Sequence, residues 1–192
     1  PTMMHDFMIT RDHAVFMDLP VVFDLDAAMR GDVPLRWDET YGARVGIVPR
    51  FGTDAEVRWF DVDPCYVFHP LNAFTDGAKV VCDVGRHETM WRDSMDDFSP
   101  SYLHRWTFDL ETGAVTETPL DDVSHGFPRV DERVVGLRHR YGWAVAPRPG
   151  ADRGMDQPGV IVKYDLERGS SDVFDLGPTA HPGEFVFVPE DA

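Results

Sequence analysis

Eight histidines carry most of this chain's chemical potential: His5, His13, His69, His87, His104, His125, His139 and His181. A neutral imidazole ligates iron, copper, nickel or zinc alike. None pairs with another at a local metal spacing, and the chain has no H-x-x-x-H, H-E-x-x-H or C-x-x-C run. Two stand apart by context. His5 lies in Met3-Met4-His5-Asp6-Phe7, an apolar run at the start of a strand, and His69 follows Tyr66-Val67-Phe68 and precedes Pro70. A histidine that ends an apolar strand can face a central channel, where ligands from distant segments meet. Read alone, each is equally a core histidine with its ring nitrogens hydrogen-bonded. His13, His104 and His139 have charged neighbours and read as surface positions. His87, His125 and His181 lie in loop-like contexts. Cys65 and Cys82 sit in separate apolar runs and read as free buried thiols of a reducing compartment, which points to the cytoplasm.

The elements that must position these residues are short strands. Ala14-Val15-Phe16-Met17, Val21-Val22-Phe23, Val45-Gly46-Ile47-Val48, Val57-Arg58-Trp59-Phe60, Tyr66-Val67-Phe68 and Val80-Val81-Cys82 are β-branched and aromatic runs. Turn signals separate them at Thr75-Asp76-Gly77, Glu111-Thr112-Gly113 and Arg168-Gly169. Helix is scarce: Leu25 to Arg30 fits a turn or two, with Gly31 as its C-cap. The segment from Phe108 to Gly113 is echoed 56 positions later from Tyr164 to Gly169, an aromatic strand running each time into an acidic turn. One hairpin per period near fifty residues suits β-propeller blades, with a β-sandwich as the alternative. The loop from Arg86 to Pro100 carries Met90, Trp91, Met95 and Phe98 among acidic residues, which suits a segment folded over a cavity. The loop from Ala146 to Pro158 reads as a connection between strands. No linker divides the chain, so residues 1–192 read as one domain.

Composition removes several function classes. Of 192 residues, 18 are Lys or Arg and 34 Asp or Glu, a net charge of −16. Such a balance argues against nucleic acid, whose backbone needs a basic face, and against an anionic membrane surface. No apolar run approaches the ~18 residues of a spanning helix, and no signal-peptide pattern opens the sequence.

Four segments carry a resemblance. They are Met4-His5-Asp6-Phe7-Met8-Ile9-Thr10, Phe68-His69-Pro70-Leu71-Asn72-Ala73-Phe74, Phe127-Pro128-Arg129-Val130 and Gly183-Glu184-Phe185-Val186-Phe187-Val188-Pro189. In this order they resemble the His-Asp-Phe-x-x-Thr, Phe-His-x-x-Asn-Ala, Phe-Pro-Arg and Gly-Glu-Pro-x-Phe-Val-Pro segments of the carotenoid cleavage oxygenases, a family that includes apocarotenoid and lignostilbene dioxygenases. The resemblance implies an all-β fold, part of a seven-bladed β-propeller holding one Fe(II) on its axis with four histidines. It makes His5 the second ligand and His69 the third, and makes Glu184 a glutamate that supports the fourth through its second ring nitrogen. The first and fourth histidines are expected outside residues 1–192. The chain then reads as a partial propeller lacking N-terminal blades and the C-terminal end, inactive without the remainder of its own chain.

The implied reaction is cleavage of a carbon–carbon double bond by O₂ into two carbonyl products. Its substrate is an apolar conjugated molecule, apocarotenoid- or stilbene-like, with Phe68, Trp91 and Phe98 as candidates to line its path. Extraction of such a substrate leaves room for peripheral membrane contact. One departure touches the chemistry. Gly126 stands where the family has a glutamate that orients the histidine matched by His69, and losing such a partner typically costs ~10–100-fold in affinity or activity. The alternative reading is a metal-free propeller scaffold that binds a protein partner. A relative performing isomerisation finds no support in the composition.

Overall fold

A computed structural model describes residues 1–97, 99–148 and 159–190. Alternating apolar residues produce three four-stranded antiparallel sheets. The first contains β1 (Met8–Ile9), β2 (His13–Asp18), β5 (Arg44–Pro49) and β6 (Arg58–Asp61) in the order β1-β2-β5-β6. Between β2 and β5 the chain leaves the sheet to pair β3 (Val21–Phe23) with β4 (Leu35–Trp37) around α1 (Leu25–Arg30). The second sheet is a meander of β7 (Tyr66–Asp76), β8 (Lys79–His87), β9 (Ser101–Asp109) and β10 (Val115–Pro119). The third repeats the plan with β11 (Gly126–Arg129), β12 (Tyr141–Pro147), β13 (Gly159–Asp165) and β14 (Ser170–Phe174). The expected all-β propeller architecture is the one the chain adopts, with three successive blades.

Local chemistry explains the best-defined turns. The β9–β10 hairpin turns where the Asp109 carboxylate accepts from the amides of Glu111 and Thr112, and Gly113 takes φ +79°. The β13–β14 hairpin repeats the device, with Asp165 accepting from the Arg168 amide and Gly169 at φ +62°. The 56-residue echo is therefore the outer hairpin of adjacent blades. In α1, the Asp24 carboxylate caps the Ala27 amide at 3.0 Å and Gly31 closes the helix at φ +82°.

The core lies between the sheets. Val15, Val45, Ile47 and Phe60 of the first sheet meet Tyr66, Cys82, Val84, Trp106 and Phe108 of the second. Each such side chain contributes roughly 1.5–3 kcal/mol by leaving water. Leu71 and Leu103 cross to Ala144, Val160, Val162 and Tyr164 of the third sheet. Both cysteines are free and buried, and burial raises their pKa values, that of Cys65 to about 12. At neutral pH they are inert thiols.

The inner strands matter most for function. β7 lies against both β1 and β11. It is also irregular: its pairing with β8 shifts register between Val67 and Pro70 and again between Pro70 and Asn72. Pro70 cannot donate to the ladder, so the strand bulges there and re-aims the side chains beside it. β11 shifts register likewise between Gly126 and Arg129, around Pro128.

Candidate metal centre

These irregular inner strands bring the chemistry together. His5, just before β1, and His69, in β7, lie with ring centroids 4.9 Å apart and planes at 87°. The Nδ1 of His5 is 3.2 Å from the Phe68 carbonyl oxygen. A carbonyl only accepts, so Nδ1 carries the proton and Nε2 of the neutral ring keeps its lone pair. Burial holds the His69 pKa below the ordinary histidine value; nearby His5 pushes the same way, while Glu184 and Asp6 oppose it. The two imidazoles thus meet edge to face at the blade junction. Among the described residues no group of three or more His, Cys, Asp or Glu side chains is close enough to hold a metal ion.

Aromatic rings wall the pair. Phe68 meets His5 edge-on at 5.3 Å, Tyr66 at 4.8 Å, His87 at 5.7 Å and Trp91 at 5.8 Å between centroids. Phe127 lies 5.2 Å from His69. Trp91 and Phe127 take φ +52° and +50°, a region that non-glycine residues rarely adopt. Both left-handed aromatics therefore sit at this site, where packing over-determines a strained backbone. A cleft of about 160 Å³ lies between Asp6, Phe7, Asn72 and Arg129, and another of about 300 Å³ opens beside Trp91, Val33 and Met95. The first is smaller than the roughly 300–1,000 Å³ of ordinary ligand pockets, so it does not enclose a long conjugated molecule.

Glu184 lies 3.5 Å from Arg129 of the Phe-Pro-Arg segment, within electrostatic reach of His69. Gly126 opens β11, and a Cβ built on it meets nothing within 4 Å.

Several residues differ from their sequence reading. His139 is buried: its Nδ1 is 3.1 Å from Asn72 Nδ2 and its Nε2 3.3 Å from the Asp83 carboxylate. Its flanking arginines point elsewhere, Arg138 to Asp76 and Arg140 to Asp165. His104 is half-buried, not a surface residue; desolvation lowers its pKa to about 4. His87 is the last residue of β8, and His125 is buried with neither ring nitrogen hydrogen-bonded. The segment read as a loop from Arg86 starts two residues later, and its Met90 is core. Phe98 lies outside the described residues, as do 149–158 of the second loop.

The comparisons with known proteins cover the whole chain. The model of the retinal pigment epithelial membrane protein family, to which the carotenoid cleavage oxygenases belong, matches residues 1–192. The chain belongs to that family. It is 37% identical to a carotenoid cleavage oxygenase of Mycobacterium tuberculosis over 97% of its length and 47% of that protein's. It superposes on Pseudomonas brassicacearum lignostilbene dioxygenase with a TM-score of 0.86 and 28% identity, covering 100% of this chain and 44% of that one. For cobalt-substituted Synechocystis apocarotenoid oxygenase the TM-score is 0.86 at 26% identity, covering 98% and 41%. The chain spans about half the length of these oxygenases. Among the described residues no helix is long and apolar enough to cross a membrane.

Proposed function

We propose that the full-length protein carrying this chain is a non-haem Fe(II) dioxygenase that cleaves a carbon–carbon double bond of an apocarotenoid- or stilbene-like substrate. The observation that carries the reading is the close pair of imidazoles, His5 and His69, 4.9 Å apart between ring centroids. Their donor chemistry fits iron, which two histidines from the rest of the protein complete. Bound Fe(II) supplies a cationic, redox-active centre at which O₂ and the double bond react.

The chain's own residues do the rest. The Phe68 carbonyl fixes the tautomer and ring angle of His5. Phe68, Trp91 and Phe127 offer flat apolar contact to a conjugated system. Glu184 is the carboxylate that supports a histidine beyond this chain, held in place by Arg129. Substrate is drawn from a membrane by peripheral contact, for which α1 presents Leu25 and Met29 to solvent.

Gly126 favours a second reading, a propeller of the same descent that binds partners without metal. Elemental analysis after anaerobic reconstitution decides between them. About one iron per full-length chain, lost in His69→Ala, is the expected result; no iron in the unaltered protein sinks the oxygenase reading.

A further inference from the structure

His139 touches the strand that carries His69 at two points. Its Nδ1 lies 3.1 Å from Asn72 Nδ2, and its ring meets Phe74 edge-on, 5.8 Å between centroids. Asn72 and Phe74 are alternate residues of β7, so one face of the strand rests on this ring. The direction of each hydrogen bond is fixed. Asn72 Oδ1 accepts from the Gly136 amide, so its Nδ2 is the donor, to the carbonyls of Val134 and Leu137 and to His139 Nδ1. The neutral His139 ring then carries its proton on Nε2, 3.3 Å from the Asp83 carboxylate. Arg105 grips that carboxylate in turn, with Nε at 2.7 Å and Nη2 at 2.8 Å. Asn72, Asp83 and His139 are all buried. Buried charge of this kind contributes little net stability, because desolvation offsets the pairing; its best-attested use is to fix register.

Register is what β7 lacks beside the histidine pair. Phe68 and His69 fall between Val67 and Pro70, where the pairing with β8 shifts, and Leu71 falls in the second shift. Asn72, opposite Asp83, is where the unbroken ladder resumes. The stretch before it carries the His69 ring and also the Phe68 carbonyl, 3.2 Å from His5 Nδ1. A bulge that lacks its ladder bonds is held by its ends, and the Asn72 end is held by the 134–139 turn. The same turn reaches the strand pair that follows His5, where the Arg11 amide donates to the Gly136 carbonyl.

We propose that His139 is a positioning residue of the metal centre, locking through Asn72 the irregular stretch of β7 that aims His69 and the Phe68 carbonyl. The inference rests on the oxygenase reading and adds to its site a residue that touches neither metal nor substrate.

The test is Co(II) binding to the full-length protein, followed by competition with a chelator and by the visible bands of the bound ion, with stability measured alongside by urea unfolding. His139→Phe keeps a ring against Phe74 and removes the acceptor from Asn72. It is expected to bind Co(II) about tenfold more weakly than the unaltered protein, with shifted bands; that is the low end of what a metal site loses with an orienting partner. His139→Asn places a carbonyl oxygen where Nδ1 stood and recovers most of the affinity. Asp109→Ala, in the outer β9–β10 turn, loses stability and keeps the affinity. Should H139F not fold, H139L is read the same way. A Co(II) affinity unchanged in H139F, or weakened equally in H139N or in D109A, overturns the inference and leaves the oxygenase reading standing. No Co(II) bound by the unaltered protein overturns both.

Discussion

A single backbone atom sets the character of the candidate centre. The Phe68 carbonyl, 3.2 Å from His5 Nδ1, leaves Nε2 as the nitrogen of that ring with an uncommitted lone pair in the neutral form. His69 has no equivalent partner among the described residues, and Gly126 is where the resemblance places its missing carboxylate. Because a Cβ at Gly126 meets nothing within 4 Å, and its φ is not left-handed, the space for that carboxylate is still there. Gly126→Glu is therefore expected to be accommodated and to raise the full-length protein's Fe(II) affinity by about tenfold or more. Metal titration with a competing chelator checks it, and an unchanged or weaker affinity rejects the idea. Much of this site is legible in the sequence: His5 and His69 stand out by type and context, the resemblance adds Phe68, and the three rings meet. His139 was not visible. Arg138 and Arg140 made it look solvated, yet in an extended segment alternate residues face opposite ways, so charged neighbours are compatible with a buried ring between them. His87 gave no signal either, since its place in the aromatic cluster depends on the Ser99 carbonyl across the β8–β9 connection.

At the scale of elements, the outer hairpins were legible and the inner strands were not. Asp-to-Gly turn chemistry is local, so the repeat ending at Gly113 and Gly169 announced two hairpins. The register shifts around Pro70 and Pro128 appear only in the pairing of β7 with β8 and of β11 with β12, although a proline inside an apolar run is itself a hint. The junction of the three blades is Asn72. Its Nδ2 reaches the carbonyls of Val134 and Leu137 at 3.1 and 3.0 Å, and its Oδ1 accepts from the Gly136 amide at 2.9 Å. The same turn ties back to the first blade, where the Arg11 amide donates to the Gly136 carbonyl. Gly136, at φ +78°, lies so close to Ile9 and Thr10 that a side chain there would crowd their backbone. Beneath it, the fully buried Asp83 is held by Arg105 at 2.7 and 2.8 Å. Burial alone would raise its pKa; the hydrogen bonds of Arg105 and His139 outweigh that and keep it low. Asn72→Ala strands a buried amide and two carbonyls, each worth about 1–3 kcal/mol when unpaired. The expected loss is about 3 kcal/mol, read by urea unfolding of the full-length protein; a loss under about 1 kcal/mol would show that water replaces the side chain.

The whole molecule inherits an acid sensitivity from its buried imidazoles. His125 is 4% exposed, and desolvation, aided by nearby His87, brings its pKa down to about 4. An unfolded chain takes up a proton at this residue near pH 6.5. The folded chain resists until about pH 4. Between those values the unfolded state binds more protons, so stability falls as pH falls, and the stabilisation present above pH 6.5 is lost by about pH 4. For His125 this difference is about 3 kcal/mol, and half-buried His104 adds to it in the same window. The carboxylates act later. Asp165, held down by Arg140 to about 2, and Asp83 lose their contributions only below the ordinary carboxylate range. Acid should therefore destabilise the propeller in two stages, the first set by histidine and the second by aspartate. The net charge of −16 does not drive the first stage, because protonation there reduces the molecule's self-repulsion. The urea midpoint of the full-length protein is expected to fall between pH 6.5 and pH 4, and the fall should shrink in His125→Phe, which fills the same space without a titrating nitrogen. A midpoint constant across that interval, or an equal fall in the variant, would place the acid response on the carboxylates alone.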